Sequence, residues 1–309
     1  MKSSLRSLFF ALAIGLLGTY APAQKNKTQT LALQLNPGPD NPRNSEGDFI
    51  TLKDGRILFI YSHYTGNSTS DHAPAYLASR ESSDGGKTWS QADKLVVERE
   101  GDMNVMSVSL LRLQDGSIGL WYLKKNSETD CKPLMRVSRD EGKTWSDPIN
   151  CITDKNGYFV LNNNRVIQLK SGRLMMAVAL HASEDGKWSN KATLYAYYSD
   201  DNGKTWTSSA PVPNNTETIT QEPGLIELKD GRIMMIIRAS GGKQQLSYSS
   251  DQGATWSHIE ASTITSPLSP ASIARIPRTG DLLLVWNNNP KAEKEWHGGV
   301  RTPLTIAIS

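Results

Sequence analysis

Ser82-Ser83-Asp84-Gly85-Gly86-Lys87-Thr88-Trp89 is one copy of a pattern, Ser-x-Asp-x-Gly-x-Thr-Trp, that returns at Ser138 to Trp145, Ser199 to Trp206 and Ser249 to Trp256. The four tryptophans stand 56, 61 and 50 residues apart. Between them a second unit recurs: an apolar run, a tight turn and another apolar run, as in Phe49 to Ile60 around Asp54-Gly55 and Leu225 to Met234 around Asp230-Gly231. The turn is repeated at Asp115-Gly116, Ser171-Gly172 and Thr279-Gly280. Asp and Gly accept the positive φ that a two-residue hairpin turn needs, so each period predicts two hairpins. Four strands per fifty to sixty residues, with no long 3.6-residue apolar periodicity after the N-terminal stretch, predict an all-β chain folded as a β-propeller of about five blades, the last one cut short at Ser309. Solenoid repeats are shorter and carry helices or single strands.

The repeated box is structural in its chemistry. Ser and Asp exchange hydrogen bonds inside a turn, Gly supplies its dihedral and Trp covers apolar surface. The start of the chain is of another kind: Lys2 and Arg6, an apolar run from Leu8 to Leu17, then Ala21-Pro22-Ala23. This predicts a signal peptide over residues 1–23, a propeller domain over 24–309, and export to the periplasm or the medium. An apolar core of about ten residues is too short to span a bilayer, which takes roughly twenty. Loss of Lys2 and Arg6 lowers the formal charge from +3 to +1. A chain so nearly neutral is not expected to bind nucleic acid. Two cysteines, Cys131 and Cys151, leave a single disulfide open, and with five scattered histidines they make a metal site improbable. A monomer without cofactor is expected.

With these boxes and hairpins the chain resembles the bacterial sialidases (neuraminidases) over nearly all of its exported length. The resemblance implies a sialidase-like propeller, six-bladed in that family, and an acidic-sugar glycan as substrate. It further implies three arginines for the sugar carboxylate, an aspartate as proton donor, and a tyrosine nucleophile activated by a glutamate. Arg43, in Pro42-Arg43-Asn44-Ser45, takes the place of the first arginine, although the family's Arg-Ile-Pro is absent. Asp71, in Asp71-His72-Ala73-Pro74, matches the acid, thirteen residues before Asp84. Glu222, in Glu222-Pro223-Gly224-Leu225-Ile226-Glu227-Leu228, and Arg238, beyond Asp230-Gly231, match the glutamate and second arginine. A charge closing the apolar run Met234 to Ile237 asks for a reason, because an unpaired buried guanidinium is costly. Arg301, before Thr302-Pro303-Leu304, fits the third arginine. The family's tyrosine would follow Arg301 by some thirty residues, past Ser309, and none of the ten tyrosines matches it by motif.

Two loops that precede strands supply further candidates for sugar hydroxyls: Asn104 in Asp102 to Met106, and Asn164 and Arg165 in Asn162 to Arg165. Loop amides serve the backbone equally well. Should Asp71 fail as acid, Asp48 in Glu46-Gly47-Asp48 is the substitute. Three functions are compatible with this reading: an exo-sialidase, a glycan-binding propeller without a nucleophile, and an exo-hydrolase or lyase of another uronic-type sugar.

Overall fold

The turns anticipated from Asp-Gly close with one repeated geometry. In the computed structural model, which describes residues 31–183, 186–289 and 300–309, Leu52 N–H donates to Arg56 O at 2.8 Å and Gly55 N–H to Leu52 O at 3.0 Å. The same two bonds close Leu113 to Ser117, Leu169 to Arg173 and Leu228 to Arg232. Gly55, at φ 86°, occupies a left-handed position that most side chains would strain.

The described residues form strands and no helix. The first sheet runs β1 (Asn44–Thr51), β2 (Ile57–Tyr64), β3 (Ala75–Ser82) and β4 (Lys94–Val97), each antiparallel to the next. The second blade is β5 (Asn104–Arg112), β6 (Ile118–Lys125), β7 (Cys131–Ser138) and β8 (Ile149–Asn150). After it, β9 (Tyr158–Val160) leads to the third blade, β10 (Val166–Gln168), β11 (Leu174–Ala182), β12 (Trp188–Ser199) and β13 (Thr207–Ser208). A fourth sheet holds β14 (Thr220–Glu227), β15 (Ile233–Ala239), β16 (Lys243–Ser249) and β17 (Glu260–Thr265). The fifth has three strands, β18 (Ser272–Arg275), β19 (Leu282–Asn287) and β20 (Leu304–Ile308). One departure from separate blades is β9: antiparallel to β11 and parallel to β7, it fuses the second and third blades into a nine-stranded sheet.

The core lies between blades. Leu58 and Ile60 of β2 pack with Val105 and Leu110 of β5, while Met175 and Ala177 of β11 pack with Met235 and Ile237 of β15. Each fully buried aliphatic side chain contributes about 1.5–3 kcal/mol, so the sheet faces, apolar on both sides, hold the ring of blades together. The first strands β1, β5, β10, β14 and β18 neighbour one another in order, and polar bonds tie them. Asp48 Oδ2 accepts from Leu110 N–H at 2.8 Å, and Ser109 Oγ accepts from Arg165 N–H at 3.0 Å.

Three of these first strands share an irregularity. Pairing slips between Ser45 and Asp48 in β1, between Met106 and Ser109 in β5, and between Gln221 and Gly224 in β14. The residue at each slip has positive φ: Glu46 at 48°, Ser107 at 62° and Glu222 at 39°. A bulge of this kind re-aims its side chain.

The Ser-x-Asp boxes are turns away from this centre. Ser82 Oγ donates to Asp84 Oδ1 at 2.9 Å and accepts from Gly86 N–H at 2.9 Å, and Asp84 accepts from Thr88 N–H and Oγ1 at 2.8 and 2.7 Å. The boxes at Ser138, Ser199 and Ser249 repeat the network. Among the box tryptophans only Trp256 is buried, and the other three are half-buried. Cys131 and Cys151 are buried free thiols, and burial pushes Cys131 up to about 12. The expected signal peptide falls on residues outside those described.

Candidate active site

The bulges of β1, β5 and β14 turn Glu46, Ser107 and Glu222 toward one cavity of about 250 Å³, whose wall also includes Asp71, Lys125, Tyr158, Asn162 and Trp188. Polar groups converge here, and the carboxylates are held by cations. Glu222 Oε1 accepts from Arg238 NH1 at 2.5 Å and Oε2 accepts from Asn162 Nδ2 at 3.1 Å. Arg238 ends the apolar run of β15, is 2% exposed, and is opposite Gln221 in register, so the hairpin brings it beside the β14 bulge as anticipated. Burial pulls its pKa down, against the attraction of Glu222.

Arg43 bonds two carboxylates of the lining, Glu46 from NH2 to Oε1 at 3.0 Å and Asp71 from NH1. Its guanidinium lies over the Tyr64 ring at 4.6 Å, and Nε donates to Ser45 Oγ at 3.0 Å. Asp71 is at the mouth, its side chain 63% exposed. Burial pushes its carboxyl upward, but Arg43, with Lys125 beyond it, outweighs burial and keeps it below the usual carboxylate range. Glu46 is the reverse: burial is the larger effect and raises its carboxyl to about 7 despite Arg43. Lys125, 2% exposed, donates from Nζ to Asp71 O at 2.8 Å, and burial lowers its pKa.

Asp71 and Glu222 thus line one cavity, and Arg43 and Arg238 each bond one of these carboxylates without being part of the lining. The other anticipated residues are placed differently. Asn104 is buried behind the wall, its Nδ2 donating to Asp71 O and Ala73 O at 2.9 and 2.8 Å, so it shapes the loop and does not face a sugar. Asn164 and Arg165 line a second cavity, of about 390 Å³, among β10, β14 and β18, and Arg165 NH2 donates to Ala271 O at 2.8 Å. Asp48 spends both carboxylate oxygens on Phe49 and Leu110 N–H. Arg301 is exposed, yet near enough for its charge to lower the pKa of Arg238.

Sequence reasoning passed over Glu46, Lys125, Tyr158, His181 and Trp188. For Glu46 a signal existed: it precedes Leu52 by the six positions that separate Glu222 from Leu228. Trp188, 51% exposed, stacks on His181 at 4.9 Å and meets Tyr158 edge-on at 5.2 Å, giving one wall an aromatic surface. Tyr158 is the tyrosine of the wall, and burial pushes its hydroxyl above the ordinary value, which does not suit a nucleophile. Among the described residues no group of His, Cys, Asp and Glu is arranged to hold a metal ion.

Residues 79–309, which carry the four boxes and the Glu222–Arg238 hairpin, match the sequence profile of the BNR repeat-like domain. The chain belongs to the BNR repeat-like family. A sialidase of Paraclostridium sordellii is 28% identical over 284 residues, covering 83% of this chain and 68% of the relative. A sialidase of Clostridium perfringens is 30% identical over 232 residues, covering 68% and 59%. Among solved structures, a Hadza microbial sialidase aligns with a TM-score of 0.68 at 19% identity over 81% of this chain and 54% of its own, a likeness of fold. The BNR repeat-like chain therefore spans between about half and two thirds of the length of these relatives. Its fold is the β-propeller that the boxes and hairpins predict.

Proposed function

We propose that this BNR repeat-like chain is the catalytic propeller of an exported, monomeric exo-glycosidase that removes a terminal acidic sugar, most simply sialic acid, from glycans. One observation carries the reading: Arg238, buried, is fixed by Glu222 of the cavity wall, so a guanidinium and a carboxylate stand side by side in set orientation. A planar guanidinium takes a carboxylate bidentately and stays charged, which suits an anionic sugar. Arg43, steadied by Glu46 and Asp71, offers a second, and Arg301 a third. The sialidase name of two relatives at 28 and 30% identity supports the same substrate class.

In the chemistry that the resemblance implies, Glu222 takes the proton of the attacking nucleophile, and a carboxylic acid at the mouth protonates the leaving oxygen, a role the resemblance gives to Asp71. A neutral nucleophile avoids the repulsion that a carboxylate would meet from the substrate's own carboxylate. The test uses the protein expressed from its whole coding sequence and an aryl sialoside. Release of sialic acid, lost in Glu222→Gln, is the expected result. Turnover of an aryl glucuronide with none of the sialoside would assign the pocket to uronic acids.

A further inference from the structure

Asp71 is carried by the loop of residues 65–74 between β2 and β3, and its side chain is 63% exposed. An acid on an exposed loop meets a leaving oxygen reproducibly only if the main chain beneath it is fixed from a rigid element. Two side chains of the second blade do this. Asn104 and Lys125 are partners in register across β5 and β6, and both donate to the Asp71 carbonyl, from Nδ2 at 2.9 Å and from Nζ at 2.8 Å. Both lone pairs of that oxygen are thereby used.

The second donor is charged and buried. Lys125 is 2% exposed, and among the described residues no carboxylate oxygen bonds its Nζ, whose other neighbours are Met106 Sδ at 3.3 Å and the Tyr158 ring at 5.5 Å. Taking an ammonium out of water is costly, and burial accordingly lowers its pKa. A carbonyl already served by Asn104 does not require a cation. What the ammonium adds is a charge-assisted bond, about twice as strong as a neutral one.

Resting on the glycosidase reading above, we propose that Lys125 is a positioning residue for Asp71, reaching from the end of β6 to the first blade to hold the mouth loop where the Asp71 carboxyl meets the leaving oxygen. Asp71 is thus gripped at two points, its carboxylate by Arg43 and its carbonyl by the second blade. A substrate carboxylate that engages Arg43 competes with Asp71 for that guanidinium. The grip on the main chain is then what keeps the acid in place.

The test is a double-mutant cycle in the full-length protein: wild type, Lys125→Met, Asp71→Asn and the two combined, on sialyl-lactose and on an aryl sialoside with an activated leaving group. Methionine keeps the bulk of the lysine stem without its charge, so the thermal transition should hold. Lys125→Met should lower kcat on sialyl-lactose about tenfold or more, leave KM in place, and largely spare the aryl substrate, which needs little protonation. Added to Asp71→Asn, it should cost nothing further. Equal losses on both backgrounds, or a higher KM with kcat unchanged, would overturn the proposal. Should the methionine variant fail to fold, Lys125→Gln runs the same cycle.

Hydrogen exchange reads the grip without turnover. The amides of Thr65 and Ala73, bonded to Pro74 O at 2.8 Å and Ser70 O at 3.0 Å, should exchange faster in Lys125→Met while those of β15 keep their rate. That result supports the grip even if the wild type cleaves no sialoside, which would sink only the substrate reading. Unchanged exchange at both amides would leave Lys125 without this role.

Discussion

Asn104 holds the loop of Asp71 in place: its Nδ2 donates to the carbonyls of Asp71 and Ala73 at 2.9 and 2.8 Å, and the side chain is fully buried. Lys125 bonds the same Asp71 carbonyl. The cavity mouth is thus shaped by polar groups that reach main chain from the second blade.

Asn104→Ala leaves the Ala73 carbonyl without this donor and the Asp71 carbonyl to Lys125, and should cost about 1–3 kcal/mol of stability. Activity should fall with it as the Asp71 loop loosens. Urea unfolding with kcat measured on the folded fraction separates the two effects, and an unchanged midpoint would show that Lys125 suffices.

Arg238→Lys keeps a charge but gives up the planar fork that meets Glu222 and, on the proposed function, the substrate. A loss of about 2–3 kcal/mol in transition-state stabilisation is expected, roughly 30- to 150-fold in kcat/KM. Michaelis kinetics on an aryl sialoside decide it. Full activity in the lysine variant would remove Arg238 from the clamp.

Asp84 and Asp140 have carboxyls held down at about 2 by the hydroxyl and main-chain N–H of Thr88 and Thr144. Groups with a folded-state pKa below the unfolded value of about 3.9 add stability that is fully present above that pH and is lost as pH falls toward about 2. Tm should therefore drop across that interval. The Asp84→Asn, Asp140→Asn double variant should melt lower at neutral pH and show a shallower acid slope, which scanning calorimetry at several pH values would reveal.

Trp188→Ala removes a half-exposed ring and should change stability by no more than about 0.5 kcal/mol, as surface substitutions do. Its stack on His181 makes a flat apolar face for a sugar ring. A raised KM for sialyl-lactose with kcat unchanged, and little effect on a small aryl substrate, is the expected pattern. Equal KM values for both proteins would leave the ring without a role in binding.

The boxes, the hairpins and the Glu222–Arg238 pairing were legible because each rests on residues close in sequence: a turn fixes its own register, and register places strand ends. Arg43 and Asp71 were legible through their neighbours in the chain. Asn104, Asn164 and Glu46 were not. A strand read by simple alternation assigns each side chain to a face, but the slips at Glu46, Ser107 and Glu222 shift that alternation by one within a strand. Asn104, before the slip in β5, consequently points into the protein where a loop amide was expected to face a sugar. The acceptor of Arg165, Ala271 O, lies 106 residues further on, beyond the reach of any local pattern.

The recurring slip has a consequence for descent and for engineering. If the blades arose by copying one ancestral unit, the first, second and fourth kept the same backbone socket, and the residue in it diverged: glutamate, serine, glutamate. Chemistry at such a centre can be rewritten one codon at a time while the surrounding sheets keep their shape. Ser107 is then the natural place to install a third acidic or amide group, because its backbone already adopts the conformation that the two glutamates require.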